Sequence, residues 1–567
     1  MILKALYDYY NRCDNLPAKG MEEKEIGFLI VLSREGQFLR FEDCRTGKDH
    51  ARVYLVKKHV GRSSAAVANY LYDNSAYVLG YSEKSNGKEQ LYFDTFKEKV
   101  ESIAEVYPDN NDISAIQAFY KNSREAIIQT VSQDVLWEDI KKNLSKKYST
   151  FSFRIDGDLK IVAEKKEILQ LEDSDDDAKA NSLCLVSGKH GPSVDTTTAT
   201  MIPGSQATAK LVAFQVNSGY DSYGKTKCGN APISENAEFA YTTALNSMLQ
   251  KGSRNKFMLG SRTFVFWASN NNEASLEAEE SLFELLGFSE EVNNDPNANV
   301  MKVRKVFESI YSGTLKTGLD DKFYILGLAP NSARIAVVYW SETTLKDFAE
   351  KILKHFSDME IHDTRKDKKP YMGIREIISS VTLGGKMSDA TPNLPEAVVK
   401  SIFQGLPYPA TLYTSCLRRI RAEQKLTITR AAIIKAYLNR QSNNYKKIEI
   451  MLDKENNNQG YLCGRLFAVL DKIQEDANNI SSIRERYMNA ASATPSAVFA
   501  TILNLSVHHS EKLDEGRRIY FEKLKQEILD KVSADGFPTH LDLQDQGRFF
   551  VGYYQQRQDF FTSKKEQ

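Results

Sequence analysis

The chain has 567 residues, 41% hydrophobic and 26% charged, and its 75 Lys+Arg balance 75 Asp+Glu to a net charge of zero. That length predicts three or four folding units whose cores need no disulfide staple. Neutrality excludes a protein coated in cation all round, yet leaves room for a local basic surface.

Six scattered cysteines, Cys13, Cys44, Cys184, Cys228, Cys416 and Cys463, form no C-x-x-C pair. Neither a zinc knuckle nor a disulfide framework is expected, and reduced thiols in a cytoplasmic setting are the simplest reading. Asp8 interrupts the apolar start and no small-residue cleavage site follows, so no signal peptide is expected. No apolar run approaches the roughly 20 residues that span a bilayer, so no membrane partner is expected.

Residues 1–20 read as a short helix, with Leu3, Leu6, Tyr7 and Tyr10 on one face and Pro17 and Gly20 ending it. From 25 to 80 the runs IGFLIVL, QFLRFEDC and ARVYLVKKHV predict strands, divided by turns at Glu35-Gly36 and Thr46-Gly47. Residues 77–81 and 90–93 around Asn86-Gly87 suggest a further hairpin. Residues 95–148 are helical in pattern, broken near Pro108, and FSFRIDGDLKIV predicts another hairpin turning at Asp156-Gly157. LEDSDDDAKA reads as a solvated acidic loop. Next come a strand at 208–217, a helix at 235–249, the buried strands FVFWAS and RIAVVYW, and a helix around 272–287 between those two.

After Pro392 and Pro395 the periodicity is helical almost throughout, interrupted by the low-complexity breaks NRQSNNYKK and KENNNQG. The expected fold class is α+β: a large mixed N-terminal region with β-hairpins and helices, then an all-α C-terminal bundle. The expected domains are 1–150, 151–390, a basic helical connector at 391–450, and a helical bundle at 451–567.

Gly219-Tyr-Asp-Ser-Tyr-Gly224-Lys225-Thr226 formally fits G-x-x-x-x-G-K-[ST]. A P-loop needs a helix to begin at the Gly-Lys so that its first amides face the phosphates. Here Gly229 and Pro232 delay the helix to about Ser234, a plausible N-cap, and no strand ending in Asp follows to hold magnesium. Nucleotide hydrolysis is therefore the rival reading, and no cofactor is expected. Tyr223, Lys225, Lys227 and Asn230 nevertheless sit on a Gly-rich segment whose amides can approach an anion. A plain turn explains that segment nearly as well.

A second constellation is KKHVGRSSAAVANYLYDNSAYVLG, with Lys57, Lys58, Arg62, Asn69, Tyr70, Tyr72 and Asn74. Cations neutralise phosphates, Asn can address a base edge, and Tyr can stack or wedge. On the residues alone, a helix packing its tyrosines into a core has the edge. A third is the run Lys400, Arg418, Arg419, Arg421, Lys425, Arg430, Lys435, Arg440, Lys446 and Lys447, opposed only by Glu423. Solvated helix faces usually mix signs, so this imbalance favours a polyanion partner, with Arg418, Arg419, Arg421, Lys425 and Arg430 as its basic helical surface. His362-Asp363 and His508-His509 lack a third ligand, so no metal site and no catalytic set is expected.

ILKALYDYYNR, GRSSAAVANYLYDNSAYVLG, SYGKTKCGNAPISENAEFAYTTALN and GRLFAVLDKIQEDAN…HLDLQDQGRFFVGYYQQRQDFF together resemble the large subunit of type I-C CRISPR Cascade, of the Csd family. The similarity runs the whole length in order. It implies a non-catalytic subunit that checks the protospacer-adjacent motif (PAM) in double-stranded DNA, helps part the duplex, and recruits a separate helicase–nuclease. The implied partners are crRNA, the target duplex and its displaced strand, the Cascade backbone and crRNA-processing subunits, and the small subunit. In such systems protein reads a short duplex motif while base pairing reads the rest.

Carried onto this chain, Asn69 and Asn74 with their neighbours become candidate PAM contacts, and Lys225, Lys227 and Asn230 candidate contacts to nearby DNA. The resemblance also implies that the C-terminal helical part is made separately by internal translation as the small subunit, with Met451 the candidate start. In that segment Arg465, Arg484, Arg486, Arg517, Arg518 and Arg548 either form a stripe along the displaced strand or pair with acids on adjacent helices.

Overall fold

A computed structural model describes residues 2–562, apart from 14, 48, 61, 63–65, 84–86, 147, 170, 172–180, 201, 215–220, 251, 260, 286–295, 365–371, 387–388, 442–445 and 481. The fold is α+β. The chain divides into two compact units: one of residues 1–12, 195–230 and 244–567, the other of residues 13–194 and 231–243. Residues 390 and 450 both lie in the first, whose buried core is continuous from Phe257 to Tyr554.

The larger unit opens with α1 (Ile2–Arg12), which turns Ala5 and Leu6 inward. Its last residue is fixed by hydrogen bonds from Arg12 to the Ala268 carbonyl (2.8 Å) and to Asn271. The helix thus ends five residues before Pro17, held by its terminal arginine.

The smaller unit follows with β1 (Met21–Ile26), β2 (Phe28–Leu32), β3 (Phe38–Asp43), β4 (Arg52–Lys57) and β5 (Tyr72–Asn74). Next come α2 (Ser75–Val78), α3 (Glu89–Val106), α4 (Asn111–Phe119), α5 (Arg124–Val131) and α6 (Trp137–Asn143), with Pro108 parting α3 from α4. The element series closes with β6 (Thr150–Ile155), α7 (Lys166–Leu169), β7 (Asn181–Leu183) and β8 (His190–Pro192). The main sheet has the order β3-β2-β6-β5, and β2 runs parallel to β6. FLIVL is buried at every position because β2 is an interior strand, so it reads as an apolar run without alternation. Phe153 of β6 meets Phe96 of α3 and Phe119 of α4, which joins sheet to helices.

α8 (Glu235–Leu249) begins in the smaller unit and ends in the larger. β9 (Lys256–Leu259) and β10 (Arg262–Ala268) follow, then α9 (Glu273–Leu285), α10 (Pro296–Ser312), β11 (Lys322–Asn331) and β12 (Arg334–Thr344). These four strands form an antiparallel sheet in the order β12-β11-β10-β9. Thr344 caps α11 (Leu345–Met359), whose Phe348 stacks on Phe323 of the sheet at 4.5 Å. Helices then dominate: α12 (Ile374–Ser380), α13 (Leu394–Phe403), α14 (Ala410–Glu423), α15 (Ile428–Arg440) and α16 (Gln459–Asn478). The last are α17 (Ser482–Ala491), α18 (Pro495–Ser510), α19 (Glu515–Leu529) and α20 (Leu543–Asp559). Among the described residues no helix is long and apolar enough to cross a membrane.

Three strand expectations need correction. Residues 77–78 and 90–93 are helical, not a hairpin around Asn86-Gly87, and Asn86 lies outside the described residues. Phe93, Phe96, Val100 and Ile103 recur at helical spacing and are buried, a period that a four-residue window hides. The strand after Asp156-Gly157 does not form, because β2 and β5 already occupy both edges of β6. Of the strand expected at 208–217, residues 215–217 lie outside the described residues, and the remainder makes one bridge, Lys210 to Arg334. Its polar groups bond locally instead, the Thr197 hydroxyl to the Val212 carbonyl and the Thr200 amide to Ala209 (2.8 Å). The acidic loop at 171–180 lies almost wholly outside the described residues.

α16 and α20 approach backbone to backbone. A Cβ on Gly464 would overlap the Phe549 carbonyl, and one on Gly552 would overlap the Tyr461 carbonyl. Gly464→Ala is therefore expected to lower stability by about 2–3 kcal/mol, as overpacking does. Gly516→Ala, where the nearest atom is 3.4 Å away in the first turn of α19, should raise stability by up to about 1 kcal/mol. Urea unfolding of the two variants checks the pair: equal effects would contradict a steric origin.

Candidate nucleic-acid interface

In the smaller unit β4 ends at Lys57 and the chain returns as β5, with Asp73 at the centre of the return. Asp73 is buried, and its carboxylate accepts the Asn69 amide (3.0 Å), the Asn74 amide (2.9 Å) and the Arg62 guanidinium. Asn69 is buried too, its Oδ1 accepting the Val60 amide at 2.9 Å. Leu71, fully buried, sits at φ +59°, and the Ser152 hydroxyl donates to its carbonyl at 2.9 Å. A non-glycine residue held in this region marks a backbone fixed by its surroundings.

The tyrosines divide. Tyr72 is buried, its hydroxyl 2.7 Å from the Lys57 carbonyl, and burial raises its pKa far above the ordinary phenol value. Tyr70 is half-buried, with the Lys57 ammonium 4.3 Å and the Lys99 ammonium 4.4 Å from its ring centre. Arg62 lies over Tyr77 at 3.9 Å, and Lys58 over Phe239 at 5.5 Å. Lys57 itself is buried and donates to the Leu171 carbonyl. Lys57, Asn69 and Tyr72 thus support the loop from within.

Asn74 is exposed, but its Oδ1 caps α2 by accepting the Ala76 and Tyr77 amides at 3.0 and 3.3 Å. A bidentate adenine contact needs both Oδ1 and Nδ2. Asn74 can therefore offer only its Nδ2 donor without uncapping the helix.

The loop at 221–230 belongs to the larger unit. Its Gly219 and Tyr220 lie outside the described residues. Tyr223, Gly224 and Lys227 all take positive φ, at +57°, +69° and +50°. The turn is cross-braced: the Lys225 amide donates to the Ser222 carbonyl, and so does Asn230 Nδ2, both at 3.0 Å. Lys227 pairs with Asp195 at 2.6 Å. What projects is Tyr223, 94% exposed, beside the exposed Lys225. The next α-helix begins at Glu235, ten residues beyond Lys225, with the Ser234 hydroxyl accepting the Ala237 amide at 3.3 Å. The helix terminus that a P-loop needs is not at the Gly-Lys.

Along 400–447, among the described residues, five of the ten cations pair with acids, three of them with acids that lie outside the run. Arg419 and Arg430 share Glu423, Lys400 pairs with Glu396 (2.8 Å), Arg440 with Asp358 (2.5 Å) and Lys446 with Asp453 (2.7 Å). Arg430 is also buried, donating to the Ser380 and Lys425 carbonyls, and Arg421 reaches Gln546. Arg418, Lys425 and Lys447 remain exposed. Asp358, Glu396 and Asp453 from outside the run oppose three of its ten cations, so with Glu423 a surplus of six positive charges remains. Of the C-terminal arginines, Arg465 is fully buried against Glu527 (3.0 Å), and Arg548 is buried against Asp545 (2.8 Å). Both are structural pairs rather than parts of a stripe.

Among the described residues no group of three His, Cys, Asp or Glu is placed to hold a metal. His362 Nε2 lies 3.1 Å from the Thr562 hydroxyl. His355 is buried against the Tyr408 hydroxyl at 2.7 Å, and desolvation pushes its pKa down to about 3. No local pattern announced Asp73 as a hub or Lys99 as the second cation on Tyr70, since both depend on tertiary approach.

The family comparison places this α+β chain among the CRISPR-associated proteins. The match, described as CRISPR-associated protein (Cas_Csd1), runs over residues 6–561, so the chain belongs to the Csd1 family, the large subunit of type I-C Cascade. No curated protein matches the chain.

Arg62→Ala would leave the buried Asp73 carboxylate without its counter-charge. We expect a loss of about 2–3 kcal/mol, reduced from the fully buried case because Arg62 keeps 29% of its side-chain exposure. Thermal or urea unfolding of the variant measures it, and an unchanged midpoint would contradict the hub.

Proposed function

We propose that this chain is the non-catalytic, PAM-reading subunit of its Cascade, promoting R-loop formation by crRNA and recruiting a helicase–nuclease. The observation that supports the reading best is the braced loop presenting Tyr223 and Lys225. A large aromatic ring left almost wholly in water beside a lysine is the combination that stacks on a base and neutralises a phosphate. The whole-length family match supplies the context. Among the described residues of the 57–74 block, Asn74 Nδ2, the exposed part of Arg62 and the half-buried Lys58 and Tyr70 are groups that could address DNA.

The assembled complex tests this on PAM-bearing and PAM-less duplexes across a salt series. Lys225→Ala should weaken both and lower the salt slope by about one phosphate contact. Asn74→Ala should cost about 1 kcal/mol more on the PAM-bearing duplex if its single donor meets a base. Equal losses on both duplexes would assign Asn74 to capping alone. The rival reading, a nucleotide-dependent or nuclease enzyme using 219–226, requires ATP turnover or metal-dependent cleavage by the purified protein, and we expect neither.

We further propose that residues 451–567, carrying α16 to α20, are also made free from Met451 as the small subunit. Changing the Met451 codon to Leu should abolish a short product on a denaturing gel while the full chain persists. An undiminished short product would refute the internal start.

A further inference from the structure

Behind the exposed cations of the larger unit lies a cleft of about 420 Å³, lined among others by Lys354, Asp358, Lys435, Arg440, Lys447 and Glu449. It is a built site. Asn439 clamps one wall, donating to the Ile448 carbonyl and accepting the Ile448 amide, both at 2.8 Å. Lys435, 3% exposed, reaches the last turn of α11, donating to the Ser357 carbonyl (3.3 Å) and the Asp358 carbonyl (3.1 Å).

Helix capping explains part of this arrangement, because cations stabilise the carbonyl end of a helix. It leaves two things over. An ammonium has three protons, and Lys435 commits two. The Arg440 side chain, 3% exposed, bonds Asp358 through Nε and the Ser401 carbonyl through Nη1 (2.6 Å), while its buried Nη2 has no acceptor among the described residues. A buried guanidinium nitrogen without a partner is costly. At the rim, Lys354 and Lys447 are exposed. Four cations face two carboxylates, Asp358 and Glu449, a surplus of two positive charges.

We propose that this cleft binds a phosphate group, with Arg440 Nη2 and the third Lys435 proton as inner donors and Lys354 and Lys447 as the rim. The positive surplus and the uncommitted N–H donors suit an oxyanion. Burial already depresses the Lys435 pKa, and a bound anion would restore it. The phosphate belongs either to a nucleic-acid backbone or to a free small molecule; the donors are the same.

The test uses the full-length protein and inorganic phosphate, by titration calorimetry at ionic strength matched with sodium chloride. Wild type should bind, K354A/K447A should bind at least about tenfold more weakly, and Lys523→Ala outside the cleft should match wild type. Both rim lysines are exposed, so the double variant is expected to fold. Phosphate that binds no better than chloride, or binds the double variant equally well, overturns the site. A single-stranded oligonucleotide that displaces phosphate assigns the site to a nucleic-acid backbone; failure to displace it assigns a free phosphate. Lys225→Ala should leave phosphate binding intact, which separates this site from the proposed PAM-reading surface.

Discussion

The close approach of α16 and α20 is the constraint on which the larger unit's helical half depends. Helix axes can come this near only where facing positions carry hydrogen in place of a side chain. Gly464 and Gly552 supply those positions, and Gly460 meets the Asp545 backbone in the same way. The proximity then lets Tyr461 bond Gln555 at 2.5 Å, while Gln555 donates to the Glu449 carbonyl at 2.7 Å. The chain entering α16 is thereby anchored to the helix that ends the bundle. Gly547 on α20 packs against Tyr413 and Ile434, so the same helix carries the contact on to α14 and α15. That tie explains why one core runs from Phe257 to Tyr554 across the Asn-rich breaks.

A second organising choice concerns charge. In each unit several buried ionic groups bind backbone or one another. Asp73 gathers Arg62 and two amides; Glu423 gathers Arg419 and Arg430. Such pairs add little net stability over an apolar core, yet removing one partner is expensive. Their effect is positional: they fix the loop that leads to Asn74 and the end of α14. A neutral chain can in this way present a small basic surface without cation covering the rest.

Much of the architecture was legible because its signals are local. The helix at 235–249, the strands FVFWAS and RIAVVYW, and the helical character beyond Pro395 all emerge where the periodicity indicates. The hairpin expected after Asp156-Gly157 failed for a reason no window contains, since β2, more than a hundred residues earlier, already occupies that edge of β6. Part of the basic run's charge balance is likewise non-local. Its counter-charges Asp358, Glu396 and Asp453 lie outside the stretch whose composition signals a polyanion. In the 57–74 block the tyrosines proved both core and surface: Tyr72 buried, Tyr70 half-open between two lysines. Composition shows which residue types are present; exposure depends on which partners the fold brings to them.

The loop at 221–230 joins these points. Its left-handed residues, cross-bracing and Lys227–Asp195 pair all spend local interactions on holding one conformation. If Tyr223 and Lys225 meet DNA as proposed, a flexible loop could bring them there as well, but it would lose conformational entropy on doing so. In that proposal bracing removes the cost before contact, so a single aromatic and a single cation would contribute usefully to a short motif's recognition. Guide pairing supplies the remaining specificity in RNA-guided systems, and the protein surface need only favour the first opening of the duplex. A few pre-set groups on an otherwise neutral scaffold suit that task better than a broad basic face, which would hold every duplex alike.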